Sequence, residues 1–408
     1  MASSFRAAKV DAEITLLIPT SDIADPEISI VIPALNEELT IGQFVEWCHE
    51  GLGRVGIRGE IVIVDSSKDL TAEIALSKGA RVLKTPKRGL GRAYIDALPY
   101  IRANYVLMGD ADCTYDFRDL EPFVKSFRHG YEYIMGSRFR GYIEPGSMPP
   151  LHQYFGTPGT TWFLNFLYAS RFTDIHCGMR GITRDALYRM NLQSQSWEYA
   201  SEMVLKSVRM ELRTDEVPVR FLKDQEGRLS HHKRSGWLSP WRAAWINIKA
   251  MFVYGADFFL FRPGILLLIA GLVLTLPMTF GAVAIGAVTF SLYWMFFGLT
   301  LCVLGLHGFY LGGLMRVLFD YDGRVTRRWL RAFSYTRSVL LSAGMIALGS
   351  ALTLPLIRLY FRSGLRLPLA VLPVNHMAIT GLVLIIAGAM NFTFTLALHA
   401  EAAYVKRK

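Results

Sequence analysis

Two aspartates separated by one residue, Asp110-Ala111-Asp112, close an apolar run, Tyr105-Val-Leu-Met-Gly109. Carboxylates two residues apart at the end of a strand can grip a hard divalent cation that also takes phosphate oxygens. Such an ion neutralises charge that develops on a departing diphosphate. Other polar clusters follow other apolar runs. Pro33-Ala-Leu35-Asn36-Glu37 follows Ile28–Ile32, Asp65-Ser-Ser-Lys68-Asp69 follows Glu60–Val64, and Gly136-Ser137-Arg138 follows Tyr133–Met135. Lys87-Arg88-Gly89-Leu-Gly91 comes after Arg81–Leu83 and opens a helix-period stretch, where backbone amides can face phosphates. Any one cluster reads as a solvated turn. Their succession asks for a fold that brings strand ends together.

The first 230 residues alternate strand and helix patterns. Between the apolar runs, Ile41, Phe44, Val45 and Cys48 fall at helical spacing, Thr71–Lys78 stops at Gly79, and Leu120–His129 stops at Gly130. This alternation predicts an α/β domain with a mainly parallel sheet covered by helices on both faces. In such sheets ligands sit beyond the carboxyl ends of the strands, where the polar clusters fall. Other signatures fail: there is no G-x-x-x-x-G-K-[ST] loop, no third glycine after Gly91 and no G-x-S-x-G elbow. Cys48, Cys113, Cys177 and Cys302 form no C-x-x-C pair, so a structural zinc site is not expected.

The net charge of +10 is unevenly placed. From Pro263 onward the chain carries 12 Lys and Arg against 3 Asp and Glu, while the first 262 residues hold 32 basic and 31 acidic groups. A basic excess confined to the apolar part is a membrane-topology charge, not a nucleic-acid footprint. No charged residue occurs over the 53 residues Pro263–Met315. One membrane helix needs about 20 residues, so this run holds two, near 264–285 and 290–315. Further spans are expected at 338–357 and 377–399. Six arginines lie between Arg316 and Arg337, against only Arg358, Arg362 and Arg366 between the last two spans. Counting places the N-terminal domain, the Arg-rich loop and both termini in the cytosol of a multi-pass protein, at the plasma membrane if the cell is prokaryotic. No charged start followed by an apolar segment suggests a secretory signal. Trp237, Trp241 and Trp245 recur on one helical face beside Lys233, Arg234, Arg242 and Lys249, as in a helix lying among lipid headgroups. The expected divisions are 1–27 as an extension, 28–230 as the catalytic domain, 231–262 as juxtamembrane amphipathic helices and 263–408 as the membrane domain.

The residues Ile30-Val-Ile-Pro33-Ala-Leu-Asn36-Glu37, Ile63-Val-Asp65, Lys87-Arg-Gly-Leu-Gly91, Asp110-Ala-Asp112, Gly136-Ser-Arg138, Asp174-Ile-His-Cys-Gly-Met-Arg180 and Glu216-Val-Pro-Val-Arg-Phe221 resemble glycosyltransferase family 2. More narrowly, they resemble its dolichyl- and polyprenyl-phosphate sugar synthases, over residues 28–262. The resemblance implies a GT-A, Rossmann-like nucleotide-sugar domain followed by interfacial helices and four transmembrane helices. It implies an inverting transfer of one sugar from a UDP- or GDP-sugar to a polyprenyl phosphate, with Mg²⁺ or Mn²⁺ at Asp110 and Asp112. Pro33, Leu35, Asn36, Glu37, Asp65, Lys87, Gly89 and Ala111 would then join those aspartates around the donor. Arg138 would face the acceptor phosphate, with Arg228 and Lys233 of a late basic element. Thr114 stands where many members have Gln.

A lipid phosphate is already largely anionic at neutral pH, its second pKa lying near ~6, so no dedicated general base is required. What is required is orientation and charge, which suits Arg138 as a fork donor. A processive polysaccharide synthase is the alternative within the same domain type, but Val325-Thr-Arg-Arg328-Trp329 only partly matches its Q-x-x-R-W element. A lipid transporter with a nucleotide-sensing domain is the alternative from another class, and the expected spans lack the charged residues it would use. Self-association is left open.

Overall fold

The computed structural model describes residues 11–168, 170–225, 255–320, 323–366 and 371–405, together with 245, 249 and 252. It divides into two compact units, 1–253 and 254–408.

The first unit is built on an eight-stranded sheet. Strands β2 (Ile28–Ala34), β3 (Gly59–Asp65) and β5 (Tyr105–Met108) carry the apolar runs of the sequence, and β2 and β3 are buried almost throughout. Burial on both faces is what a parallel strand covered by helices requires. With β4 (Arg81–Lys84) they form the parallel block β4-β3-β2-β5. Helix α1 (Ile41–Val55) buries Ile41, Phe44, Val45 and Cys48 and ends at Gly56, whose φ of 61° suits a residue without Cβ. Helices α2 (Thr71–Ser77), α3 (Leu90–Ala97) and α4 (Glu121–Arg128) follow β3, β4 and β5.

Beyond β5 the sheet stops being parallel. The long strand β6 (Tyr133–Ile143) does not pair with β5 directly; β7 (Arg180–Thr183) lies between them, antiparallel to both. Between β6 and β7 comes α5 (Thr157–Tyr168). Helices α6 (Arg184–Met190) and α7 (Tyr199–Arg209) lead to β8 (Thr214–Phe221), parallel to β6 at the edge. At the opposite edge β1 (Thr15–Leu17), from the segment expected to be a bare extension, pairs antiparallel with β4. The sheet is therefore mixed rather than mainly parallel throughout. Of the interfacial stretch, Trp237 and Trp241 lie outside the described residues, while Trp245 is helical and 65% exposed.

The second unit holds four helices long and apolar enough to cross a membrane, Phe258–Met278, Leu292–Leu318, Tyr335–Arg362 and Pro373–Ala403. They belong to α8 (Ala256–Thr275), α9 (Leu292–Leu318), α11 (Tyr335–Arg362) and α12 (Pro373–Val405), with a short helix α10 (Arg324–Ala332) between the second and third spans. The first span ends earlier than hydropathy suggests, because Val283–Ile285 and Val288–Phe290 turn back as a hairpin across Gly286. A short apolar run carries no periodicity that separates helix from strand. Helices α8 and α9 approach closely: a Cβ at Gly305 would overlap the backbone nitrogen of Leu268. Asn391 joins three other groups, donating to Ser338 O (3.1 Å) and Ser342 Oγ (2.9 Å) and accepting from Tyr310 Oη (3.1 Å).

Candidate active site

Strands β2 and β3 end together, with Ala34 in register with Asp65, while the parallel β5 stops earlier, its Met108 level with Val31; the residues after all three run toward one rim. The two loops are stitched through Asn36, which adopts a left-handed φ of 57° that Asn tolerates. Its amide donates to Ser67 Oγ (2.7 Å), and its Oδ1 accepts from the Lys68 amide (3.1 Å). The Glu37 amide donates to Thr71 Oγ1 (2.9 Å). Pro33 and Leu35 are half-buried and Glu37 is buried. Asp65 is buried at the end of β3. Burial pushes its carboxyl above the ordinary value, against the opposing effect of hydrogen bonds from Ser67 and the charge of Lys84.

After β5, Asp112 Oδ1 accepts from both the amide (3.0 Å) and the hydroxyl (2.6 Å) of Thr114. The short Thr114 side chain thus turns back onto Asp112 and fixes its carboxylate. Asp110 lies against Gly178, where any Cβ would overlap its Oδ2. The Gly178 amide in turn donates to Tyr115 Oη (2.8 Å). Asp110 and Asp112 are both half-buried, and Ala111 between them is buried. Among the described residues no group of three His, Cys, Asp or Glu is placed to hold a metal. Two hard oxygen donors fit a divalent cation whose other positions are taken by ligand phosphates and water, as opposed to a closed protein cage.

The other half of the rim is organised by Arg138. Its Nε and Nη2 donate to Asp174 Oδ2 (2.6 Å) and Oδ1 (2.8 Å), and its amide donates to Oδ2 (3.1 Å). Arg138 is 8% exposed and Asp174 fully buried. Burial works against charge on both groups; their mutual attraction nonetheless leaves the Asp174 carboxyl below its ordinary value and the guanidinium above its own. The guanidinium also lies over the Phe221 ring, 5.2 Å from its centroid. Glu216 Oε1 accepts from the amides of Thr173 (2.7 Å) and Asp174 (3.1 Å). Buried Arg180 donates to the carbonyls of Cys177 (2.9 Å), Ala200 (2.7 Å) and Ile175 (3.1 Å). His176, bonded to Thr160 Oγ1 of α5 at 2.9 Å, is pushed down to about 4 by burial, with Asp174 opposing.

The loops carrying Pro33–Glu37, Asp65 and Asp110–Asp112 thus meet on one rim, and Gly178 connects that rim to the loop gripping Arg138. Lys87 stands exposed beside it. Gly89, with φ 116°, has no room for a Cβ because the Gln195 carbonyl covers it, and that carbonyl accepts from the Arg92 amide at 3.1 Å. The first turn of α3 is therefore capped by the 194–196 backbone, and Arg88 is held by Asp11 and Glu13. Arg228 and Lys233 lie outside the described residues. Sequence reasoning gave no role to Tyr115, Asp174 or Glu216. The last two stood in view inside motifs, but only tertiary contact assigns them their partners.

Residues 29–190 match the pattern described as glycosyl transferase family 2, and residues 311–401 match the glycosyltransferase family 2 C-terminal transmembrane region. The low-salt glycan biosynthesis hexosyltransferase Agl6 of Haloferax volcanii is 39% identical over 281 residues, 68% of this chain and 65% of that protein. The match thus spans just under two thirds of that relative's length. A dolichyl-phosphate hexose transferase of the same organism is 28% identical over 196 residues, 47% of this chain and 82% of its own. Among solved structures, glucosyl-3-phosphoglycerate synthase from Mycobacterium tuberculosis, in complex with Mn²⁺, UDP and glucosyl-3-phosphoglycerate, aligns at a TM-score of 0.44 and 18% identity, over 56% of this chain and 79% of that one.

Two outcomes follow from the buried pair and its neighbour. Asp174→Ala strands a buried guanidinium and should cost about 3–5 kcal/mol of stability in the first unit, whereas Arg138→Met combined with Asp174→Leu should cost clearly less; denaturant unfolding of the full chain compares them. His176 stays neutral when folded, while its unfolded counterpart takes up a proton below pH 6.5. Its contribution is therefore complete above about 6.5 and is lost as pH falls toward about 4. His176→Gln, which can still bond Thr160, should flatten the thermal-midpoint profile across that window; an unchanged slope would show that the loss comes from other groups.

Proposed function

We propose that the chain, which matches the glycosyl transferase family 2 pattern over residues 29–190 and the family 2 C-terminal transmembrane region over residues 311–401, is a glycosyltransferase of that family that moves a single sugar from a nucleotide sugar to the phosphate of a polyprenyl lipid, with inversion at the anomeric carbon. The observation that carries this reading is the contact of Asp110 with Gly178, which sets a pair of carboxylates beside the loop that holds a buried cation, Arg138. Donor and acceptor phosphates carry like charge, and a transferase between them needs counter-charge for each. The carboxylates serve one through a cation and the arginine serves the other.

In this scheme Pro33, Leu35, Asn36, Glu37, Asp65 and Ala111 line the base and ribose of a UDP- or GDP-sugar, with Lys87 near its phosphates. Asp110 and Asp112 would hold Mg²⁺ or Mn²⁺, which supplies neutralisation of the leaving diphosphate. A lipid phosphate oxygen attacks the anomeric carbon, the bond from that carbon to the diphosphate oxygen breaks, and the nucleoside diphosphate departs. The nucleophile is already ionised, so no side chain need take its proton. Asp174 occupies the Nε–Nη2 edge of Arg138, so the acceptor phosphate would meet the Nη1 side of a guanidinium whose position is fixed in advance. Arg228 and Lys233 are proposed to assist there.

A lipid acceptor is supported by the four spans and by the segment Leu151–Phe166, which carries no Asp, Glu, Lys or Arg and exposes Leu151, Tyr154, Phe155, Trp162 and Phe166. His176 ties α5, which overlaps that segment, to the Asp174 loop. The name of the Haloferax dolichyl-phosphate hexose transferase points the same way. On the Arg count the proposed orientation puts the catalytic unit, the Arg316–Arg337 loop and both termini on the cytosolic face. The proposed domain limits remain 28–230 for catalysis and 263–408 for the membrane part. The processive alternative finds no support in Trp329, which is packed among Val317, Phe394 and Leu398.

Purified protein in lipid, offered labelled nucleotide sugars and polyprenyl phosphate, should form a sugar-labelled lipid only with a divalent cation present. Asp112→Asn should lower the rate by roughly 100-fold or more, the scale of losing a central electrostatic group. Full transfer after chelation, or in that variant, would remove the cation from the scheme.

A further inference from the structure

Helix α10 connects two spans and is poorly suited to standing alone in water. Arg324, Arg327, Arg328 and Arg331 recur at i, i+3, i+4 and i+7, so all four lie on one face, and all four are exposed. Among the described residues no carboxylate lies within ion-pair reach of Arg327, Arg328 or Arg331, and like charges at this spacing repel. Across the helix Trp329, only 8% exposed, is packed with Val317, Phe394 and Leu398 of the span helices. Its ring stacks on Phe333 (5.4 Å between centroids) and meets Phe309 (5.6 Å), and a Cβ at Gly313 would come within 2.6 Å of it. At the helix start the amide and hydroxyl of Thr326 both donate to Asp320 Oδ2 at 2.6 Å. The helix is therefore bolted by Trp329 and Thr326 with its arginine row turned away from the bundle.

We propose that this row is a docking face for anionic phospholipid headgroups. Its helix joins α9 to α11, two helices long and apolar enough to cross a membrane, so in a bilayer spanned by them the row would come to the level of the lipid phosphates. Guanidinium groups pair with phosphate through two parallel hydrogen bonds, and the four charges complement an anionic leaflet. Trp329 fixes the depth of the helix, so the arginines meet headgroups without ordering a loop first. This reading is independent of the sugar-transfer proposal, because none of these residues belongs to the candidate active site.

The test is lipid retention by the full chain in native mass spectrometry, from mixed micelles offering phosphatidylglycerol, phosphatidylcholine or polyprenyl phosphate in equal amounts. Wild type should retain phosphatidylglycerol at least ~10-fold over phosphatidylcholine at low salt, on a scale of about 5-fold per arginine, and the preference should shrink as salt rises. The combined variant R324Q/R327Q/R328Q/R331Q should lose the preference, while the corresponding four Arg→Lys changes should keep most of it. The unfolding midpoint of the Gln variant in phosphatidylcholine micelles reports whether it folds; should it fail to fold, the Lys variant and the salt series decide. Retained preference in a folded Gln variant overturns the proposal, as does its loss in a folded Lys variant. Retention of polyprenyl phosphate without phosphatidylglycerol also overturns it, and would assign the face to the acceptor.

Discussion

A fully buried carboxylate is costly to keep charged without a cation or strong hydrogen bonds beside it, and Asp174 has both, in Arg138 and in the amides of Arg138 and His176. That pair sets the order of everything around it. It fixes the middle of β6, which runs on past Arg138 to Ile143, to the loop before β7, and the same loop is held by Glu216 through two amides and by Arg180 through its carbonyls. Once the loop is fixed, Gly178 can lie against Asp110 and bond Tyr115. A charge that would be expensive to bury alone thereby becomes the pin between the two halves of the rim.

The two halves differ in how they are built. On the side of Pro33–Glu37 and Asp65 the parallel strands do the positioning, and the loops after β2 and β3 are joined by short side-chain bonds from Asn36, Ser67 and Thr71. On the other side the strands are antiparallel or at the edge, and a buried polar network supplies the rigidity that a parallel core supplies elsewhere. A polar network of this kind holds one geometry only if its members are satisfied. That property suits the proposed reaction, in which two anions are placed without repelling each other.

How much of this was legible in the sequence follows from what each element depends on. Strands β2 to β5 could be read because they are apolar runs closed by polar clusters, and the long uncharged stretch announced the spans. Strand β7 could not, since Arg180-Gly-Ile-Thr183 owes its place to pairing with both β5 and β6. Strand β1 depends on β4, some seventy residues away in the chain. The aspartates of the site were visible as a pattern. That Thr114 fixes Asp112, that Asp174 already occupies one edge of Arg138, and that Asp11 and Glu13 hold Arg88 were not, because each depends on tertiary contact or side-chain geometry. Trp329 is a further case. In the sequence it was only the end of a partial match to an acceptor element, and nothing there showed that its burial makes it an anchor.

The central claim is that one sugar passes to one lipid phosphate and a nucleoside diphosphate leaves. The most direct measurement is therefore the stoichiometry of a single reaction: the mass of the lipid product together with the nucleotide released. The account predicts a product heavier than the polyprenyl phosphate by one sugar residue, with an equal amount of nucleoside diphosphate. A ladder of longer glycans, or release of nucleoside monophosphate, would contradict it.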